Sequence, residues 1–325
     1  GHFENDARLS VEEKSLISEW VDAGCPEGDP ADLPEPRVFF EGWNIPEPDL
    51  VLAMADKPFQ VPPEGVVDYK HYVVDPGFTE DMWMVACEAR PGNYSVVHHI
   101  LVFLQTPDGQ MDLLRGSLLA AYAPGSPPRR TDPGMAKLIP AGSKIVFQMH
   151  YTPNGKPEED VSTLGLKFCD ASEVKQVVDS GFAINFGFAI PPGVKDHKVT
   201  SKHRFKHDRL LLGLTPHMHM RGKSFRYEAR YPDGTRETLL DVPRWDFNWQ
   251  IDYLLAEPKF MPAGSVLYCE AHYDNSAESL TNPDPTKWVR FGEQTWDEMM
   301  IGWFTTATMP DEQNAAEIKT GAAGN

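Results

Sequence analysis

The strongest constraint on how this chain folds is that it repeats itself. IPAGSKIVFQMHY, Ile139 to Tyr151, returns as MPAGSVLYCEAHY, Met261 to Tyr273, an offset of 122 residues (139 to 261). Both copies carry Pro-Ala-Gly-Ser and close on His-Tyr at the same spacing. The offset also takes His98 and His99 to Met220 and Arg221, beside His217 and His219. Each half therefore holds a histidine pair and, about 50 residues later, a PAGS segment ending in histidine. Self-similarity at a fixed period marks a duplicated structural unit. The expectation is two related domains, residues 38–170 and 171–310.

From about residue 38 the local pattern is that of strands. HYVVD, MWMVACEA, SVVHHILVFL, KIVFQMHY, SFRYEARY and SVLYCEAHYD are short β-rich runs separated by Pro, Gly, Asn and Asp. PDG at 107–109 and 232–234 reads as hairpin tips. Long helical patterns are nearly absent, which predicts an all-β fold of sandwiches. The exception is SVEEKSLISEWVDAG, residues 10–24, a helix capped by Ser10 with Glu13 closing a capping box. Its apolar stripe is Leu16, Ile17, Trp20 and Val21, and Gly24 ends it. A proline-rich acidic linker, PEGDPADLPEP, follows. At the other end the small, polar residues from Thr308 onward predict a mobile tail, 311–325 in its outer part.

Charge excludes one class of partner. The chain has 30 Lys and Arg against 48 Asp and Glu, a net charge of -18, and so repels a phosphate backbone. No apolar run is long enough to span a bilayer. None of the four cysteines (Cys25, Cys87, Cys169, Cys269) belongs to a C-x-x-C pair, which argues against a zinc ribbon, a thioredoxin-type motif or an attached haem. They are either disulfides formed in an oxidising compartment, with Cys87 and Cys169 the favoured pair, or buried free thiols.

Five of the 11 histidines carry the functional argument: His98, His99, His150, His217 and His219. All five lie in apolar strand-like runs, where an imidazole is costly unless a partner or a metal engages its nitrogens. On a strand, His217 and His219 face the same way. His98 and His99 are adjacent and share a face only if the strand is bulged or ends there. The cupin pattern would place a glutamate four or five residues after the H-x-H, and those positions are Lys223 and Ser224. FGEQTWDEMMIGWF supplies Met299 and Met300 instead, and a thioether beside two imidazoles suits copper cycling through Cu(I). His272, the internal counterpart of His150, is a further candidate, either as a substitute ligand or as a residue behind one.

HHILVF (98–103), QMHY (148–151), HMHMRG (217–222) and TWDEMM (295–300) resemble, in order and approximate spacing, the type II copper monooxygenases, which include the peptidylglycine- and dopamine-hydroxylating enzymes. The resemblance spans about residues 38 to 308. It implies two tandem antiparallel jelly-roll-like β-sandwich domains with one copper in each. It implies an electron-transfer copper on His98, His99 and His150, and an oxygen-binding, catalytic copper on His217, His219 and Met299. It further implies hydroxylation of a substrate C–H bond with O2 and an external reductant such as ascorbate, in a periplasmic or secreted protein. The carboxylate clamp of the peptide-hydroxylating members falls on Thr215, Ile301 and Trp303, which cannot form it, so a glycine-extended peptide is not expected and the substrate is another small molecule. Tyr227, Trp245, Trp249, Trp296 and Trp303 are either sandwich core or an apolar ligand surface.

GHFENDARLSVEEKSLISEWVDAGCPEGD resembles the last helix of a small c-type cytochrome domain, without its C-x-x-C-H. That implies a segment cut from a longer protein, with an upstream haem domain as electron donor in place of ascorbate. The alternatives to a hydroxylase are a non-catalytic copper-binding or electron-transfer protein, and a zinc or iron enzyme on a β-sandwich. His71, His197, His203 and His207 read as solvated loop or edge positions, and His2 as either an added remnant or part of the cytochrome-like segment.

Overall fold

The computed structural model describes residues 2–36, 42–109, 118–125 and 127–310. Among these described residues one α-helix, α1 (Val11–Asp22), precedes 21 strands. The first half contains β1 (Leu50–Ala53), β2 (Phe59–Val61), β3 (Lys70–Val74), β4 (Met82–Arg90), β5 (Val97–Gln105), β6 (Leu118–Tyr122), β7 (Arg129–Arg130), β8 (Met135–Ile139), β9 (Lys144–Tyr151), β10 (Glu158–Asp160) and β11 (Thr163–Cys169). The second contains β12 (Gln176–Ile184), β13 (Ala189–Ile190), β14 (His197–Arg204), β15 (Arg209–His217), β16 (Gly222–Arg230), β17 (Arg236–Val242), β18 (Tyr253–Met261), β19 (Val266–Tyr273), β20 (Val289–Arg290) and β21 (Ile301–Ala307). The fold is an all-β sandwich architecture.

The topology repeats with the sequence. In the first half β1-β11-β4-β8 faces β3-β9-β5-β6; in the second β12-β21-β15-β18 faces β14-β19-β16-β17. The PAGS strands β9 and β19 take the same place in their sheets. The two longer sheets join edge to edge, where β8 and β12 run parallel (Met135 opposite Gln176, Ala136 opposite Val177). Each half has its own main core. One runs from Met54 to Leu166 and includes Ile100, Phe147 and Met149. The other runs from Ala183 to Phe304 and includes Leu214, Phe225 and Tyr227. The expected boundary at residue 38 falls outside the described residues, as does the expected tail 311–325.

Alternation along the strands explains which side chains remain for chemistry. In β19, Leu267, Cys269, Ala271 and Tyr273 are buried while Val266, Tyr268, Glu270 and His272 alternate outward. In β9, Ile145, Phe147, Met149 and Tyr151 enter the core and His150 takes the opposite face. PDG at 232–234 closes the hairpin between β16 and β17, with Gly234 at φ 89°, a left-handed conformation suited to glycine. The far side of the 107–109 turn lies outside the described residues.

Two expectations need correction. Cys87 and Cys169 are free thiols, as are Cys25 and Cys269. On the paired strands β4 and β11, Cys87 stands opposite Leu166 and Cys169 opposite Trp83. The two cysteines are thus about four residues apart along the ladder, roughly 13 Å, beyond the reach of a disulfide. Thr308 does not begin a loose tail: its N–H donates to Val177 O (3.0 Å), its hydroxyl accepts from Val177 N (2.9 Å) and its carbonyl accepts from Gln176 Nε2 (2.7 Å). His203 lies on edge strand β14, as one of its two expected placements had it, and its half-buried ring packs against Phe205 (5.1 Å) and Phe304 (4.8 Å). The helix forms with the expected Ser10–Glu13 capping box, and Leu16, Ile17, Trp20 and Val21 of its apolar stripe are all exposed. Helix formation here rests on caps and propensity, because none of the described sheets lies beneath that stripe.

Candidate metal centre

The first histidine group is built by a strand irregularity. Val97 pairs with Tyr151 and His99 with His150, so two steps on β5 match one on β9 and His98 is the extra residue. This bulge removes the obstacle to adjacent histidines sharing a face. His98 Nδ1 lies 3.2 Å from His99 Nδ1, and His150 Nδ1 lies 3.3 Å from the same atom. The candidate ligand nitrogens of the three all lie within 4.8 Å of one another. Tyr69 packs edge-on against His99 (5.7 Å between centroids) and His150 (4.9 Å). Burial and nearby Glu293 push the Tyr69 hydroxyl up to about 12.

The second group forms where β15 runs out toward β16. Leu211, Leu214 and Met218 enter the core, leaving Thr215, His217 and His219 to the opposite face. The His217 and His219 rings lie 5.2 Å apart at 86°. His217 Nδ1 is 2.7 Å from Gln250 Oε1. His219 is 2% exposed, and its Nδ1 is buried without a hydrogen-bond partner among the described residues. β15 pairs with β21, with His217 opposite Ile301. The ladder ends at that pair, Met299 lies just before it on the β21 side and His219 just after it on the β15 side, while Met300 is fully buried in the core. Met299 is half-buried, and its carbonyl accepts from the Tyr273 hydroxyl at 2.7 Å.

Glu298 locks this corner together. It is fully buried, with Oε2 accepting from His219 N (2.8 Å) and Oε1 from Arg221 N (2.6 Å). Arg221, 2% exposed, donates to Asn275 Oδ1 (2.9 Å) and Trp296 O (2.8 Å). Burial pushes the Glu298 carboxyl up to about 8, against the pull of the two N–H groups and the Arg221 guanidinium. The same buried carboxylate thus binds the loop carrying His219 and precedes Met299 in sequence.

All five imidazoles are held neutral. Burial lowers His98 and His217, in His217 against the opposing Gln250 hydrogen bond. Burial takes His150 to about 4 with help from His98, and His219 to about 3 with help from His217. His99 is driven well below its ordinary value by burial and then by His150, His98, His217 and His219. The two groups therefore sense each other. Phe247 stands between them, stacked on His98 (5.8 Å, 16°) and edge-on to His219 (6.5 Å, 87°).

His272 belongs to neither group. Its Nδ1 is 2.6 Å from Asp196 Oδ1 and its Nε2 3.3 Å from Glu270 Oε1, so both nitrogens are engaged. Tyr273 points inward toward Met299, and alternation sends His272 to the other side of β19. His150 obeys the same alternation, but there the outward face meets bulged His99.

Of the aromatic candidates, Tyr227 is fully buried and Trp245 packs against the second core, while Trp249 and Trp296 are exposed. Glu298, Arg221, Phe247, Gln250 and Tyr69 were not anticipated from sequence. For Glu298 and Arg221 a signal existed, since each is a charge inside an apolar motif (TWDEMM, HMHMRG). Phe247 and Gln250 sit in a loop with no periodicity to flag them.

The donor set fits a metal ion. Three nitrogens each about 2.0–2.1 Å from a shared ion stand about 3.3–3.5 Å apart, matching the two Nδ1 separations at His99. Three neutral imidazoles so close cannot all satisfy one another by hydrogen bonding. Nδ1 of buried His219 has no hydrogen-bond partner among the described residues, so that ring position is left unsatisfied by the protein.

Fold and site together define a double β-sandwich with two facing histidine groups. No protein-family model matches the chain, and no curated protein matches it. Among solved structures, it is similar to VP54 of the virus PBCV-1, fitted into a reconstruction of the virophage Sputnik (6% identity, TM-score 0.27, covering 84% of this chain and 98% of that one). It is similar too to the major capsid protein P2 of bacteriophage PM2 (8% identity, TM-score 0.31, covering 79% and 97%). A third is the infectious bursal disease virus Gt strain (9% identity, TM-score 0.23, covering 82% and 72%). At such values these likenesses carry no argument about function.

The assignment to the type II copper monooxygenases is corrected by these findings, as is the likeness of the N-terminal segment to a cytochrome: neither family is found, and the similar structures named above are viral proteins. The motifs behind the first assignment are six, four, six and six residues long. The same chemistry recurs on unrelated folds, so short histidine motifs report local chemistry rather than ancestry. Among the described residues no helix is long and apolar enough to cross a membrane.

Proposed function

We propose that this chain is a copper protein with two histidine-based sites, and that its activity is hydroxylation of a small substrate's C–H bond with O2 and an external reductant. The observation that carries the reading is the convergence of His98, His99 and His150, with Nδ1 separations of 3.2 and 3.3 Å. His217 and His219 form the second site, bordered by the backbone of Met299. Imidazole suits zinc and copper alike, and the thioether of Met299 favours copper. Bound copper would supply one-electron redox chemistry, so that C–H, O2, two electrons and two protons give C–OH and water.

The chain's own contribution is to keep the imidazoles neutral by burial, to shield them behind Tyr69 and Phe247, and to hold the 219–221 loop with Glu298. A periplasmic or secreted location is part of the proposal, although the four free thiols do not require it. A second reading, a copper-binding or electron-transfer protein without catalysis, is favoured by Phe247 occupying space between the two groups.

Metal analysis of the loaded protein is the test. Two coppers per chain, with a sulfur scatterer in Cu(I) X-ray absorption that disappears in Met299→Ala, supports the proposal; zinc retained in preference to copper overturns it. Oxygen uptake with ascorbate across a panel of small substrates separates the two copper readings, because only the hydroxylase couples uptake to product.

A further inference from the structure

One turn, residues 246–252, touches both histidine groups. It is closed on itself: Asp246 Oδ1 accepts from Asn248 N (2.8 Å) and Asp246 O from Trp249 N (3.0 Å). Its end is tied to β15, where Thr215 donates to Asp252 Oδ1 at 2.5 Å, two residues before His217. From this braced turn Phe247 reaches His98 and His219, and Gln250 reaches His217.

The orientation of Gln250 follows from chemistry. Its Nε2 lies 2.9 Å from the Phe247 carbonyl, which can only accept, so the amide nitrogen belongs there. The amide oxygen then faces His217 Nδ1 at 2.7 Å and can only accept, so Nδ1 carries the proton. In a neutral imidazole this leaves the Nε2 lone pair as the free one.

We infer that the 246–252 turn is a positioning element for both groups at once: Gln250 selects the His217 tautomer that offers Nε2, and Phe247 braces the His98 ring from the other half. The inference rests on His217 being a metal ligand, but its first readout does not. Groups that orient a ligating histidine commonly change metal affinity by about 10–100-fold when removed.

The experiment uses the full chain, ¹⁵N-labelled and treated with chelator, with histidine tautomers read from long-range ¹H–¹⁵N correlations. Wild type should show His217 protonated on Nδ1. Gln250→Leu should shift the proton toward Nε2 and weaken copper binding at the second site about tenfold or more, with the first site unchanged. Gln250→Glu, which keeps an acceptor, should restore the Nδ1–H form. Phe247→Leu should remove ring-current shifts from both His98 and His219. An Nε2–H tautomer in wild type overturns the inference, as does a Gln250→Leu protein with unchanged tautomer and affinity. If Gln250→Leu does not fold, the wild-type tautomer decides alone. Failure of the wild type to bind copper would sink the proposed function while leaving the tautomer result standing.

Discussion

Replacing Glu298 tests the corner on which the second site depends. In Glu298→Ala, the His219 and Arg221 N–H groups lose their carboxylate acceptors in a fully buried place. Each buried N–H left unpaired costs about 1–3 kcal/mol. The vacated volume adds to this. The expected loss is about 4 kcal/mol, within a range of roughly 3–6. Glu298→Gln keeps the shape but offers one oxygen to two donors, so its amide NH₂ must face one of the N–H groups; roughly 2–3 kcal/mol is expected. Urea unfolding followed by tryptophan fluorescence gives both values. Copper titration of the folded Glu298→Gln variant should show weakened binding at His217 and His219 with His98, His99 and His150 intact. Losses below about 1 kcal/mol in both variants, or weakened binding at the first group instead, would refute the reasoning.

Acid should destabilise the metal-free protein through its histidines. His150 is held at about 4 against an ordinary 6.5, so between these values the unfolded chain binds a proton that the folded one refuses. Stability is therefore full above about pH 6.5 and falls as pH drops toward 4, by roughly 3 kcal/mol for this residue. Comparing wild type with His150→Asn in urea at pH 7 and 4.5 checks it, because the variant should lose less on acidification. Gly302→Ala would bring a Cβ to 2.5 Å from Cys269 Sγ and 3.0 Å from Tyr227 Cε1, and should cost about 1–3 kcal/mol in the same assay. Thiol titration of the denatured, unreduced protein should find all four cysteines reactive, whereas two would restore the Cys87–Cys169 pairing.

Reading from sequence worked where chemistry follows the strand period. The repeat located β9 and β19, the H-x-H spacing put His217 and His219 on one face, and adjacency at His98 and His99 required a bulge or a strand end, of which the bulge is present. It erred where two positions alike in pattern differ in surroundings. His150 and His272 occupy matching places before a buried tyrosine, yet one meets a bulged histidine and the other meets Asp196 and Glu270. Cysteines spaced plausibly for a disulfide proved offset along their ladder.

By itself, then, the sequence determined that the chain forms strands in two similar halves and which histidines leave the core, because alternation and capping are properties of neighbouring residues. Only the tertiary structure decided that the two histidine groups face each other, that Phe247 stands between them and that Glu298 holds His219 beside Met299. These depend on contacts between segments distant along the chain, such as 98 with 247 or 219 with 298, and no local pattern encodes the sheet packing that brings such segments together.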